Sequence, residues 1–120
     1  MFRSGPFVRK TGISIVVRRD CKGAYQGFTS IGHAGYAESG KDIVCAAVSV
    51  LVFTTVNALE EIAGEKLNVV QNKEAGLLDC RFPEGIHEKG ILLMDTMLLG
   101  LKDIISVYGK KYIELKFEEV

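Results

Sequence analysis

The sequence lacks the features that mark several large classes of protein. Its 15 basic residues are balanced by 15 acidic ones, so net charge gives no reason to expect nucleic acid as a direct ligand. Its three cysteines are odd in number, and 120 residues are enough to form a core without disulfides. We therefore expect a cytoplasmic protein whose cysteines stay reduced.

Membrane and metal signals are also missing. The longest uncharged apolar run, residues 43–53, is too short to cross a bilayer. The basic start is followed by an apolar run that is too short for a secretory signal. No Cys-x-x-Cys or His-x-x-x-His pair is present, and Cys21, Cys45 and Cys80 lie far apart in the chain. The expectation is no membrane association, no metal and no cofactor.

The chain contains enough apolar residues, 48%, to form the core of one ordinary domain. Residues 1–12 show no periodicity and include glycine and proline, so we expect a disordered tail or an added leader there. The remaining residues, 13–120, are expected to form a single domain.

Two segments show the periodicity of helices, and five shorter ones resemble strands. The first half of the first helix is apolar at most positions and should be buried nearly all round, whereas Glu60, Glu61 and Glu65 should face water. The order ββαββαβ predicts an α+β fold, a mixed five-stranded sheet with two long helices. The expected strands are 13–18, 25–31, 67–72, 77–82 and 112–117, and the expected helices are 42–63 and 87–108.

The candidate site combines a histidine in a glycine-rich loop with a cysteine at a helix start. His33 follows the second strand, and Cys45 falls at about the third or fourth position of the first helix. A thiolate is stabilised near free helix N–H groups or beside an imidazolium, and His33 can act as general base. Asp42 can orient His33 or cap the helix, and Ser49 lies one turn beyond Cys45 on the same face.

Two other interpretations of the same residues stay open on spacing alone. A cysteine in an apolar helix is more often an inert core residue, and a lone histidine is often a simple loop residue. Residues 35–42 also nearly match the phosphate-binding pattern G-x-x-x-x-G-K-[ST]. Asp42 replaces the hydroxyl that such a loop needs for magnesium, and repeated strand–helix units are missing, which argues against a nucleotide site.

The loop and the helix start together resemble the signature of a known family, the bacterial ribosomal-processing cysteine proteases called Prp. The resemblance extends over residues 13–120 in element order and length. The residues that carry it are Gly32-His33-Ala34-Gly35 and Gly40-Lys41-Asp42-Ile43-Val44-Cys45-Ala46-Ala47-Val48-Ser49.

The resemblance implies an activity, which is removal of the N-terminal extension of a large-subunit ribosomal protein precursor. Cys45 would be the nucleophile and His33 the general base, with Asp42 and Ser49 in supporting roles. The resemblance also implies a homodimer and a mobile loop, and the loop's flexibility would rest on Gly32, Gly35 and Gly40. The alternative is a non-catalytic, ribosome-associated interaction module in which Cys45 is merely buried.

Overall fold

The computed structural model describes residues 12–32 and 39–120, with the backbone alone at residues 39–42. The predicted tail lies outside the described residues apart from Gly12. His33 and Gly35 of the predicted site lie outside them as well.

The described chain has the predicted fold and element order. Each strand corresponds to one of the five strand-like segments, and each helix to a segment with helical periodicity. The elements are β1 (Ile13–Arg19), β2 (Tyr25–Ile31), α1 (Ser39–Glu61), β3 (Asn68–Asn72), β4 (Leu77–Arg81), α2 (Glu88–Tyr108) and β5 (Ile113–Glu119).

The five strands form one mixed sheet in the order β3-β4-β2-β1-β5. Strands β1 and β2 form an antiparallel hairpin, as do β3 and β4, and β2 and β4 pair antiparallel to join the two hairpins. Strand β5 pairs in parallel with β1. The chain therefore leaves two strands, β3 and β5, at the edges of the sheet.

The core lies between one face of the sheet and the two helices. Ile13, Ile15 and Val17 of β1 are almost completely buried, because alternate residues of a strand point to the same face. The helices pack against each other at Gly100, where an added Cβ would lie 2.7 Å from Leu51 Cδ2. This contact gives a reason for the glycine in α2, since a glycine inside a helix is otherwise unfavourable by about 1 kcal/mol.

Helix α1 differs from the expectation in where it begins and in what it buries. It begins at Ser39, three residues before the predicted start, so Cys45 is the seventh helical residue rather than the third or fourth. Its first half is not buried all round, because Ile43 and Val50 are 52% and 67% exposed. The sheet covers only one flank of α1, and the opposite apolar flank is left on the surface.

Two further burial predictions were wrong. Glu65 was expected in water but is 5% exposed, because its carboxylate binds the start of α2. Helical periodicity over residues 87–108 also predicts that Leu92 and Leu99 belong to the apolar, core-facing side of α2, whereas both are more than 60% exposed. The buried face of α2 is formed by Gly90, Met94, Met97, Leu98 and Leu101.

Among residues 12–32 and 39–120, one helical segment is long and apolar enough to meet the test for a membrane-spanning helix. It is Ile43–Glu61 of α1, with a mean hydropathy of 1.9. Core helices of soluble proteins also pass this test, and α1 contributes Val44, Val48 and Leu59 to the core. Length and apolar composition therefore do not separate a spanning helix from a core helix here.

Candidate active site

Cys45 lies on the wall of a cleft between α1 and the sheet. The cleft encloses about 280 Å³, and the α1 wall presents Cys45, Ser49 and Phe53 at successive helical turns. Cys45 is half-buried, so its thiol is packed on one side and reachable from the cleft on the other. This placement differs from the inert core position that spacing alone left open.

The floor of the cleft is a row of neighbouring strand residues. Ser30 pairs with Leu78, and Leu78 pairs with Gln71, so the three side chains share the helix-facing side of the sheet. Within the described chain, no hydrogen bond occupies the Ser30 hydroxyl or the Gln71 amide, and both groups line the cleft. They are polar groups beside the apolar side chains of the cleft, suited to bind a peptide backbone.

Sequence reasoning missed Ser30 and Gln71. Each lies in a short strand where a polar residue looks like part of the solvent-facing set. Their placement follows from strand register and from the position of α1, which leaves this corner of the sheet uncovered. Strand alternation places Ser30 on the same side as Phe28, and that was the only available signal.

Gly32 holds the rim of the cleft at the end of β2. Its N–H donates to the Gly76 carbonyl at 3.1 Å. Its φ is +130°, and an added Cβ would lie 2.3 Å from the Gly12 carbonyl oxygen. Glycine is therefore required at this position by a close backbone approach. The described chain leaves the sheet at this point and resumes at Ser39.

The other predicted site residues lie in different parts of the structure. Ser49 lines the cleft one turn beyond Cys45, as the spacing indicated. Gly40 and Asp42 lie in the first turns of α1, so Asp42 is inside the helix and is not its N-cap. His33 and Gly35 lie outside the described residues, so the distance between His33 and Cys45 remains a prediction.

The three cysteines differ in environment. Cys80 is fully buried in β4, where burial and the nearby Asp79 charge raise the pKa of its thiol to about 12. Cys21 is exposed in the turn between β1 and β2. Of the three, Cys45 is the one that lines the cleft between α1 and the sheet, and a buried thiol such as Cys80 is a poor nucleophile.

The described residues offer no obvious metal site. Among residues 12–32 and 39–120, no group of three or more histidine, cysteine, aspartate or glutamate side chains is close enough to hold an ion. Separately from that finding, this part of the chain presents a thiol beside polar hydrogen-bonding groups.

Comparison with known proteins gives a consistent result. A family model described as cysteine protease Prp matches residues 13–114. The ribosomal processing cysteine protease Prp of Bacillus subtilis (strain 168) is 33% identical over 100 residues, covering 80% of this chain and 89% of that protein.

Solved structures show the same architecture. The ribosomal processing protease Prp from Staphylococcus aureus, in complex with a substrate peptide, superposes with a TM-score of 0.81 at 26% identity, covering 88% of this chain and 99% of that one. The same protease with a covalently linked product peptide superposes with a TM-score of 0.78 at 27% identity, covering the same shares.

Proposed function

Because the chain belongs to the Prp family of cysteine proteases, we propose that it removes the N-terminal extension of a large-subunit ribosomal protein precursor in the cytoplasm. The observation that carries this proposal is the position of Cys45, half-buried on the wall of a cleft. The relatives named as ribosomal processing proteases support the substrate class.

The proposed reaction is acyl transfer to Cys45. His33 takes the thiol proton, the thiolate attacks the scissile carbonyl, and His33 then protonates the leaving amine. Water, activated by His33, releases the acyl-enzyme and restores the thiol. The Staphylococcus aureus relative with a covalently linked product peptide supports a covalent route. The residue before His33, Gly32, lines the same cleft as Cys45, which supports the pairing of the two side chains.

The remaining groups of the cleft have supporting roles in this proposal. Asp42 orients His33, and the Ser49 hydroxyl donates a hydrogen bond into the site. Cys45 lies too far along α1 for its own N–H to be one of the free helix-end donors. The Gln71 amide and the Ser30 hydroxyl are therefore better candidates to bind the substrate carbonyl groups than the N–H of Cys45 is.

Apolar surface in the cleft indicates what kind of side chain the substrate presents. Val48, Val52, Phe53 and Leu77 surround the space beside Cys45. A substrate residue with an apolar side chain would bury itself there, at about 25 cal/mol for each Å² removed from water. A basic residue next to the scissile bond would have no acidic partner among the described residues that line the cleft, whose charged side chain is that of Lys73.

The decisive experiment incubates the precursor ribosomal protein with the wild type and with three variants, followed by mass spectrometry. Cys45→Ala and His33→Ala should each lower the cleavage rate by roughly 10³-fold or more, because nucleophile and base act as a unit. Cys21→Ala is the matched control and should cleave normally, since Cys21 is exposed in the β1–β2 turn, at the opposite end of β1 from Ile13 and the cleft.

Full activity of Cys45→Ala or His33→Ala would contradict the proposed mechanism. An intact precursor after incubation with the folded wild type would instead favour the non-catalytic interaction module for this substrate.

We also propose that the chain works as a homodimer, as the family resemblance implies. The exposed flank of α1 offers a surface for a second copy, because Ile43 and Val50 lie seven residues apart on one face and are both more than half exposed. Val50→Glu should convert a dimer to a monomer in light scattering after gel filtration. Ser106→Glu, an exposed position of α2, should leave the mass unchanged, and a dimeric Val50→Glu would exclude this surface.

A further inference from the structure

The two edges of the sheet are built differently. Edge strand β5 carries Glu114, Lys116, Glu118 and Glu119, and Arg18 of the neighbouring strand reaches Glu118 at 3.3 Å. Charged side chains on an edge strand discourage other chains from pairing with it. Edge strand β3 has the sequence NVVQN, without a charge, a proline or a glycine.

Strand β3 is also fully open to another chain. All five of its residues are exposed, with Val69 and Val70 at 43% and 58%. It pairs with β4 without a bulge, so the strand is regular and only one of its two edges is used. Within the described chain, no strand lies against its other edge. Alternate N–H and C=O groups of β3 are thus free to pair.

The open strand leads directly into the cleft. Gln71, Asn72 and Lys73, at the end of β3, line the same cleft as Cys45. The α1 wall and β3 are similar in length, since the nine residues from Cys45 to Phe53 rise about 12 Å along a helix and the five residues of β3 span about 13 Å. A chain extended beside β3 would therefore reach the cleft, whose α1 wall carries Cys45, at the Asn72 end of the strand.

We propose that the substrate polypeptide binds as a sixth strand on the free edge of β3, with about four residues on one side of the scissile bond paired to it. This inference rests on the proposed protease function and adds the binding mode. Backbone hydrogen bonds provide the affinity, and Cys45 lies where the paired segment reaches the cleft.

The same geometry defines the kind of substrate. A strand edge pairs only with a backbone that is itself unpaired, so the cleaved segment must be unstructured before it binds. Val69 and Gln71 pair with the buried residues Cys80 and Leu78, so their side chains face the helix side. They contact every second substrate side chain, while the residues between point away. Specificity is therefore read at alternate substrate positions.

The test uses a fluorescent synthetic peptide that spans the cleavage site of the precursor, and the inactive Cys45→Ala variant. A series of peptides carries one N-methyl group each, because methylation removes a single backbone donor. Strand pairing predicts that Kd rises at least tenfold at every second position on one side of the scissile bond. Methylation at the intervening positions should leave Kd within about twofold, because those N–H groups point away from β3.

The matching protein variants are Val69→Pro and Val70→Pro, each also tested in the Cys45→Ala background. Neighbouring residues of a strand point their N–H groups to opposite edges, so one proline removes a bond to β4 and the other a free donor. The variant that loses the free donor should keep its Tm and bind the peptide at least fivefold more weakly. The other should lose Tm.

Several results would overturn the binding mode. One is a Kd that does not alternate along the N-methyl series. Another is a proline variant with native Tm and native Kd but a reduced molecular mass. That result would mean that the free edge of β3 pairs with a second copy of this chain. Cleavage of the unmethylated peptide by the wild type is scored separately. The protease function can thus stand when the binding mode fails, and binding to Cys45→Ala is measured whether or not cleavage occurs.

Discussion

The start of α2 and the stretch of α1 around Cys45 lie in contrasting environments. At the start of α2, the Glu65 carboxylate accepts a hydrogen bond from the His87 backbone N–H at 2.6 Å and contacts the His87 ring Nδ1 at 2.9 Å. The Glu65 side chain is 1% exposed. The early part of α1 instead borders an open cleft, with Cys45 on the cleft side.

This contrast indicates that the start of α2 serves the stability of the fold, whereas the cleft beside α1 serves its chemistry. Free N–H groups at a helix start need partners, and a buried carboxylate supplies them for α2 from another part of the chain. That arrangement leaves no room for a ligand. The stretch of α1 around Cys45, its seventh residue, is instead lined by groups that a substrate can reach. We therefore expect changes at the α2 start to alter folding with little effect on catalysis, and changes at the cleft to do the reverse.

The largest expected effect on stability is that of Glu65→Ala. The change leaves the N–H groups of His87 and Gly90 without the buried carboxylate that accepts from them, which should cost about 2–4 kcal/mol in the free energy of unfolding. Urea unfolding measures this loss. The kcat for precursor cleavage, measured where the variant is folded, should stay within about twofold of the wild type.

The pH dependence of stability provides a control for the charge. Burial raises the pKa of Glu65, but hydrogen bonds from the His87 and Gly90 N–H groups and the His87 ring lower it more, so the net pKa lies below its usual value. A carboxyl group with a depressed pKa stabilises the fold above its unfolded pKa of about 4.3, and this contribution disappears as pH falls through the folded value.

Glu65→Gln removes this titration while keeping the shape of the side chain. Its unfolding free energy should therefore fall less between pH 6 and pH 3 than that of the wild type. An identical pH profile for the two proteins would show that the carboxylate charge does not stabilise the α2 start.

Glu65 also shows which features of the fold could not be predicted from the sequence. Alternation and helical periodicity predicted all seven elements and their order, because each follows from a local pattern. The burial of Glu65 does not follow from any local pattern, because its partner His87 lies 22 residues away. A glutamate that follows a helix ending in Glu60 and Glu61 resembles part of a solvated helix end until the packing of α2 is known.

The residues of the candidate site also fall into those that sequence could place and those that it could not. Cys45 and Ser49 could be placed together from sequence, because residues four apart share one face of a helix. Ser30 and Gln71 could not, since they come from two strands that meet only through β4. The exposed flank of α1 was missed for a related reason: composition indicates that a helix is apolar, but not how many of its sides the fold covers.

A smaller effect is expected from Gly90→Ala, which tests the α2 start without removing Glu65. An added Cβ would lie 2.5 Å from Glu65 Oε2, and that oxygen is fixed by its hydrogen bond to His87. The matched control is Gly100→Ala, where the Cβ would lie 2.7 Å from the tip of the flexible Leu51 side chain. Both changes gain roughly 1 kcal/mol at most in helix propensity.

Gly90→Ala should therefore lower the unfolding free energy by about 1–2 kcal/mol, because displacing the carboxylate costs more than the propensity gain. Gly100→Ala should change it by less than about 1 kcal/mol, since Leu51 can rotate away. Both proteins should cleave the precursor with native kcat. A Gly90→Ala protein with native stability but impaired cleavage would mean that the α2 start contributes to catalysis, and the contrast between the two helix starts would then be wrong.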